Sequence, residues 1–344
     1  MKSTSVVILN WNGAEMLRRF LPSVIQNSPE ADVVVADNGS TDNSLEVVEQ
    51  EFPEVKIIRL DENYGFAEGY NKALEQIETP YSLLLNSDVE VTPGWLQPLL
   101  SFLEEHPEAA AVQPKILNCN HKEMFEYAGA AGGYMDRLGY PYCRGRVMDV
   151  VEKDEGQYDG APVPVFWATG AAMLVRTRIY KEVGGLDARF FAHQEEIDLC
   201  WRLRSRGYGI WCITDSVVYH LGGATLDKSN PRKTFLNFRN NLLMLYKNLP
   251  PERKNWVLAQ RYFLDYMAAF QKLLSGKRGD ALAIVRARFE YSHIKHEFDL
   301  QRAENMKQMT VRDIPEMAPG SILWAFYAKK IRKFSDLKKG PLAE

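Results

Sequence analysis

The sequence has only four cysteines, and none is spaced for chemistry. Cys119, Cys143, Cys200 and Cys212 form no Cys-x-x-Cys pair and lie in apolar or glycine-rich stretches. That excludes a disulfide framework and a cysteine-ligated zinc site and fits a reducing, cytosolic setting. No uninterrupted apolar run approaches the ~20 residues needed to span a bilayer. The stretch VVILNWNG follows Met1 within a few residues, leaving no room for a secretory signal, so none is expected. The chain also lacks Gly-x-Gly-x-x-Gly and a Walker lysine pattern, which excludes a standard dinucleotide site or P-loop. What remains is an ordinary globular composition: 344 residues, 46% hydrophobic and 25% charged, enough for one large domain with an appendage or for two domains.

The net charge of −3 hides an asymmetry. Residues 1–230 carry 20 Lys+Arg against 34 Asp+Glu, and residues 231–344 carry 22 against 11. An acidic part and a basic part are expected to face different partners.

The acidic part alternates strands and helices. SVVILN (5–10), DVVVADN (32–38), VKIIRL (55–60) and YSLLLN (81–86) are apolar, β-rich runs, and helical spacing fills the segments between them. Nearly continuous apolar strands predict a mostly parallel α/β sheet with helices on both faces, which binds ligands beyond the carboxyl ends of its strands. Asn10, Asp37 and Asp88 stand at three such ends. Asp37, leaving its strand before Gly39, is placed to accept from a nucleobase N–H or a ribose hydroxyl, with Ser40 or Thr41 capping the next helix. Asn63, Gly65 and Asn71 suit a loop and helix start that brings backbone close to a ligand, or a plain helix start. In LLLNSDVEV, Asp88 is a candidate ligand for a divalent cation bridging diphosphate oxygens.

Two further segments carry polar groups. In FFAHQEEIDLCWRLRSRGYGIW, Ile197, Leu199, Trp201 and Leu203 read as the packing side of a helix, with Arg202, Arg204 and Arg206 as its polar side. Glu195, Glu196 and Asp198 stand at its start. Acidic residues favour a helix N-terminus in any protein, yet one of the three could also serve as a general base toward a hydroxyl. His220 follows a β-branched run and leaves another strand end, where structural and ligand roles both remain open.

These pieces, in this order, resemble the inverting glycosyltransferases of family 2, with the GT-A nucleotide-sugar fold, and within them a bacterial rhamnosyltransferase-like branch. The resemblance runs from VVILNWNG through VVVADNGSTDNS, NYGFAEGYNKAL and LLLNSDVEVTPGWL to FWATGAAMLVR, GGLDARFFAHQEEIDLCWRLRSRGY and VYHLGG, about two-thirds of the chain. It implies that residues 1–230 form a GT-A catalytic domain binding a nucleotide-sugar donor. Asp37 would hold the base of the nucleotide, and Asn86-Ser87-Asp88 would be the family's Asp-x-Asp motif with Asn86 in place of its first aspartate. Asp88 and His220 would hold Mg²⁺ or Mn²⁺. The family's base falls on Glu196, with Asp198 as the alternative. Trp167, Thr169 and Gly170 would lie on the acceptor side, with Trp167 as a stacking platform. The implied reaction moves L-rhamnose from dTDP-L-rhamnose to a saccharide acceptor of a bacterial surface glycan. Alternatives are UDP-galactofuranose or UDP-glucose as donor, or a nucleotide-binding scaffold without turnover.

Beyond residue 230 the pattern is helical and basic. Residues 231–344 are expected to form a C-terminal helical region, peripheral on the inner face of the cytoplasmic membrane and carrying no nucleic-acid module. The segment SILWAFYAKKIRKFSDLKKG (321–340) joins Trp324, Phe326 and Tyr327 to Lys329, Lys330, Arg332, Lys333, Lys338 and Lys339. It is the expected contact with an anionic membrane surface, where a lipid-linked acceptor would lie.

Overall fold

The computed structural model describes residues 2–222 and 230–337; Lys338 and Lys339 lie outside them. The chain begins with strand–helix units. They run β1 (Thr4–Asn10), α1 (Ala14–Asn27), β2 (Ala31–Asn38), α2 (Ser44–Glu51), β3 (Lys56–Leu60), α3 (Gly65–Glu75) and β4 (Tyr81–Asn86). Then follow β5 (Val89–Val91), α4 (Leu96–Glu105) and β6 (Ala109–Asn118). Four short strands come next, β7 (Gly133–Asp136), β8 (Pro141–Cys143), β9 (Arg146–Val147) and β10 (Val150–Val151), then β11 (Val163–Pro164). The domain continues with β12 (Ala172–Arg176), α5 (Thr177–Glu182), α6 (Glu195–Ser205) and β13 (Gly209–His220).

The central sheet has the order β11-β13-β6-β12-β4-β1-β2-β3, with β5 paired to β13. β1, β2, β3 and β4 are mutually parallel, as the apolar strand runs predict. The other half is mixed: β12 lies antiparallel between β4 and β6, and β13 runs parallel to β6. The difference arises because no crossover helix joins β6 to β12; the chain between them folds separately. Its glycine- and tyrosine-rich stretch is a meander of short strands, β10-β9-β8-β7, closed by β14 (Met317–Ala318). Helical spacing does its ordinary work in α1, where Leu17, Phe20, Leu21 and Val24 are buried against the sheet.

The C-terminal helices are α7 (Pro231–Asn248), α8 (Pro251–Leu274), α9 (Arg278–Ile294), α10 (Asp299–Gln308) and the short α11 (Phe334–Leu337). α7 does not stand apart from the sheet domain. Leu242, Leu243, Met244 and Leu245 are fully buried in the same core as Phe166, Leu199 and Trp201, each large side chain contributing roughly 1.5–3 kcal/mol. The charge asymmetry is partly resolved inside the molecule. Lys247 of the basic part bonds Asp187 and Asp198 of the acidic part, each at 2.7 Å. The tail also departs from expectation: Phe326 is buried, with the Arg332 guanidinium 3.7 Å from its ring centroid, and Phe334 and Leu337 are buried too. Trp324 and Tyr327 are exposed. Among the described residues no helix is long and apolar enough to cross a membrane.

Candidate active site

Strand register brings three predicted positions to one edge. Asn10 pairs with Asp37 across β1 and β2, and Leu9 pairs with Asn86 across β1 and β4. β2 and β4 flank β1 on opposite sides, so this edge is a topological switch point where a crevice opens. Asp37 is buried and aimed by two bonds: Oδ1 accepts from Asn10 Nδ2 (3.2 Å) and Oδ2 from the Ser40 N–H (3.0 Å). Neither Ser40 nor Thr41 caps α2. The Ser40 hydroxyl accepts from the Asn12 N–H at 2.9 Å, and the Thr41 N–H donates to Asn12 Oδ1 at 2.7 Å. The two strand-end loops therefore lock each other, and Trp11, half exposed beside Asn10, projects from this junction.

The next loop is built by asparagines. Asn63 Oδ1 accepts from Asn38 Nδ2 (3.2 Å) and from the Gly65 N–H (2.9 Å), while Asn38 Oδ1 accepts from the Tyr64 N–H (3.1 Å). Gly65 has φ +76°, and a Cβ there would stand 2.6 Å from the Phe191 ring, so the close approach that needs glycine is to Phe191. Asn71 is likewise a brace. Its amide donates to the Leu186 carbonyl (2.8 Å) and accepts from the Leu186 N–H (3.0 Å) and the Tyr180 hydroxyl (2.7 Å). With those bonds made, the expectation that Asn71 contacts a ligand gives way to a role in holding the segment before α6.

On the other side of β1, Ser87 and Asp88 form the turn between β4 and β5. β5 pairs antiparallel with the end of β13, placing Val89 opposite His220. Asp88 Oδ1 is 3.1 Å from His220 Nε2, and Asn86 Nδ2 is 3.4 Å from the same nitrogen. Glu126, from the loop after β6, stands at the other ring nitrogen, with Oε1 3.7 Å from His220 Nδ1. Burial, the largest single effect, would raise Asp88, but the His220 hydrogen bond and charge together with backbone N–H bonds outweigh it and hold the carboxyl low. For His220, burial opposes the charge, yet Asp88 and Glu126 prevail and lift it to about 10. Among the described residues no three His, Cys, Asp or Glu side chains form a metal cage. The buried Asp88 carboxylate at the strand end nonetheless suits a hard cation that draws its other ligands from diphosphate and water, and His220 could join it only by giving up the proton that Asp88 and Glu126 now hold on it. Glu126 was not legible in the sequence. It sits in a glycine-rich stretch that no motif marks.

Facing this pair is the start of α6. Three non-glycine residues before it have positive φ, Phe191 (+64°), His193 (+71°) and Gln194 (+73°), a strained loop fixed by its surroundings. Asn240 of α7 supplies that fixing, with Nδ2 within 3.0 Å of the carbonyls of Phe190, Ala192 and His193, while the Phe191 carbonyl accepts from the Phe66 N–H at 2.9 Å. Burial lowers His193 to about 4, so its imidazole is neutral here. Glu195 is fully buried, and burial together with the Glu196 charge pushes its carboxyl well above the usual range. Glu196 is only half-buried. Burial raises it to about 7 against the pull of backbone N–H groups at the helix start, and its Oε2 makes no hydrogen bond.

Asp198, the alternative base, is excluded by its packing. It is fully buried, with Oδ2 bonded to Lys247 Nζ (2.7 Å) and Arg202 Nε (2.9 Å) and Oδ1 to Asn248 Nδ2 (2.7 Å), so no acceptor hydroxyl reaches it. Arg202 thus lies inside the fold, not on a polar helix side. Trp167 is also a core residue. Its Nε1 donates to the Tyr134 carbonyl at 2.9 Å, and a Cβ on Gly133 would sit 2.2 Å from its ring, so no face is free for a sugar. Thr169 is buried, its hydroxyl accepting from the Ala171 N–H at 3.2 Å. Of the three, Gly170 lies at the site: a Cβ there would be 3.8 Å from the Glu196 Cβ and 3.2 Å from the Phe66 ring. The Asn86 N–H donates to the Ala171 carbonyl at 3.0 Å, which joins the Asp88 side to the Glu196 side.

Known proteins resemble this chain in sequence and in fold. Residues 5–145 match the family model for Glycosyl transferase family 2. The N-acetylglucosaminyl-diphospho-decaprenol L-rhamnosyltransferase of Mycobacterium tuberculosis (strain ATCC 25618 / H37Rv) is 25% identical over 236 residues, covering 64% of this chain and 76% of that protein. The fold is similar to GalNAc-T7 with UDP, GalNAc and Mn²⁺ (TM-score 0.59, 19% identity, 76% of this chain and 50% of that one). It is also similar to S. aureus TarS 1-349 in complex with UDP-GlcNAc (TM-score 0.55, 18% identity, 90% and 89%). The sheet shares its GT-A fold with these structures, and residues 5–145, which carry the strand ends that build the crevice, form a glycosyl transferase family 2 domain.

Proposed function

We propose that the protein is an inverting transferase that moves L-rhamnose from dTDP-L-rhamnose to a saccharide carried on a polyprenyl diphosphate, in bacterial surface-glycan synthesis. The observation that carries the chemistry is Glu196: a half-buried residue whose carboxylate has a buried oxygen with no hydrogen-bond partner among the described residues, raised to about 7 by burial, beside Gly170, whose neighbour Ala171 is bonded to Asn86. A base poised near neutrality is suited to accept the proton of an acceptor hydroxyl as its oxygen attacks C1 of the donor sugar. The new C1–O bond forms on the face opposite the diphosphate, the old one breaks, and the configuration inverts. Asp37 and Asn10 hold the nucleoside, with Trp11 offering an exposed ring for stacking. Asp88 and His220 would hold Mg²⁺ or Mn²⁺, which supplies neutralising charge to the diphosphate. Support for a metal comes from the Mn²⁺ in the GalNAc-T7 structure. The choice of donor and lipid-linked acceptor draws on the mycobacterial relative.

The test is a panel of nucleotide sugars incubated with the protein and a synthetic GlcNAc-diphospho-polyprenyl acceptor, with products read by mass spectrometry. Transfer of a deoxyhexose from dTDP-L-rhamnose is the expected result. Transfer from UDP-hexoses alone refutes the donor assignment, and binding without any turnover refutes catalysis.

A further inference from the structure

The α8–α9 hairpin presents an apolar face to solvent. α8 shows Phe263, Tyr266 and Phe270 at i, i+3 and i+7, and α9 shows Leu282, Val285 and Phe289 at the same spacing, one stripe on each helix. Phe263, Phe270 and Phe289 are 69%, 61% and 67% exposed, more than single surface hydrophobics need explaining. The two stripes form one patch. Arg288 of α9 meets Asp265 of α8 at 2.7 Å across the seam between the helices, and its guanidinium lies 4.9 and 5.7 Å from the ring centroids of Tyr262 and Tyr266. At about 100° per residue in antiparallel helices, Tyr266 and Phe270 fall on the same side of that seam as Val285 and Phe289. The other side of α9, with Ile284, Ala287 and Tyr291, is buried. Contiguous apolar patches of this kind mark an interaction surface.

The exposed charges at the turn end of the patch are basic. The turn between the helices carries exposed Lys277 and Arg278 beside exposed Leu273 and Leu274, and Arg286 is exposed on α9. Of the hairpin's four carboxylates, Asp265 is buried between Arg261 and Arg288, Asp280 accepts from the Thr234 hydroxyl of α7 at 2.8 Å, Glu252 at the start of α8 pairs with Arg312 at 3.1 Å, and Glu290 is half-buried on α9. A second copy of the chain, packed symmetrically on this face, would set the basic rim against itself, and the hairpin's exposed carboxylate, Glu252, is already paired with Arg312. An anionic lipid surface complements both features. We propose that the α8–α9 face docks the protein on an anionic bilayer, its aromatic rings at the headgroup boundary and its basic rim on the headgroups. This surface takes the place of the C-terminal tail, whose Phe326 is engaged in the core. The hairpin packs on α7, and α7 carries the Asn240 that fixes the loop before Glu195, so the docked face and the candidate active site share one helix.

The inference is independent of the donor and the acceptor, and so is its test. The full chain is sedimented with phosphatidylcholine vesicles and with phosphatidylcholine–phosphatidylglycerol vesicles at low and high salt. The wild type is expected to sediment with anionic vesicles at low salt and to be released by salt. Each basic residue near such a surface contributes about a fivefold factor, so Lys277→Gln, Arg278→Gln and Arg286→Gln together lower partitioning about a hundredfold. Phe263→Ser, Phe270→Ser and Phe289→Ser together also abolish it, and unchanged circular dichroism shows both variants folded. A wild type that stays in the supernatant overturns the proposal. So does an aromatic variant that turns a dimer into a monomer by light scattering while vesicle binding is unchanged, which assigns the face to self-association.

Discussion

Asp198→Asn and Glu196→Gln are nearly isosteric changes two residues apart on α6, and the structure assigns them opposite consequences. Asp198 is fully buried and bonded to Lys247, Arg202 and Asn248. Making it neutral leaves a buried lysine and a buried arginine short of countercharge, though Asp187 still pairs Lys247. Breaking a buried pair costs about 3–5 kcal/mol. The Asp187 contact places the expected loss toward the lower end, a fall in melting midpoint of roughly 4–6 °C for a chain of this length. Among the described residues Glu196 has no ion-pair partner and an oxygen with no hydrogen bond, so Glu196→Gln is expected to leave the midpoint within about two degrees. Its effect belongs on turnover, a loss of about 10²–10⁴-fold with nucleotide affinity unchanged, as for removal of a general base. A base must be ionised to act. With Glu196 held at about 7, wild-type turnover should rise as pH climbs through 7, and that limb should vanish in Glu196→Gln. Differential scanning fluorimetry, nucleotide titration and pH–rate profiles measure all three. Full activity in Glu196→Gln, or an Asp198→Asn protein of wild-type stability lacking activity, would refute the assignment of roles.

Asp88→Ala should lower nucleotide-sugar turnover at least about 10²-fold and abolish its stimulation by Mg²⁺ or Mn²⁺; full wild-type activity in EDTA contradicts this. Trp167→Ala should cost about 3–5 kcal/mol of stability, measured by denaturant unfolding, and leave the acceptor KM of the folded fraction unchanged. A raised KM at unaltered stability would restore the stacking platform. Glu195→Gln should stabilise the protein increasingly as pH rises. The folded pKa of Glu195 is raised, so the wild type loses stability as pH climbs from its unfolded value through the folded one, and the amide does not. Melting midpoints of the two proteins from pH 5 to pH 8 give the comparison, and parallel curves argue against a buried protonated carboxyl.

The strands were legible because burial on both faces makes their residues apolar without interruption. VVILN, VVVADN and YSLLLN fall in β1, β2 and β4, and the polar residue that breaks each run marks the carboxyl edge where the crevice lies. The misread residues share a different cause. Asp198, Trp167 and Asn71 have the chemical character of ligand-binding groups, but what decides their roles is a partner remote in sequence: Lys247, Tyr134 and Leu186 respectively. Glu126 shows the converse, an ordinary residue given meaning by packing beside His220.

Helical periodicity has a similar limit, and the C-terminal part shows where it lies. Spacing identifies α7, α8 and α9, because an apolar stripe at 3.6 residues is a local property, but it does not say what covers the stripe. α7 is apolar nearly all round from Leu242 to Leu245 and is buried, as such a helix must be. α8 presents apolar groups on two sides at once. Val257 and Ala269 face inward beside the ion-paired Arg261 and Asp265, while Phe263, Met267 and Phe270 face solvent. Had the sequence been selected for burial alone, the inward stripe would hold the aromatics and the outward stripe the charges. The reverse is observed: the seam is an ion pair and the surface is aromatic. Breaking a buried ion pair is costly, whereas an exposed phenylalanine contributes little to the fold of the isolated chain. The outward rings are therefore best accounted for by something the face meets, and the basic composition that first distinguished this part of the chain says what charge that surface carries.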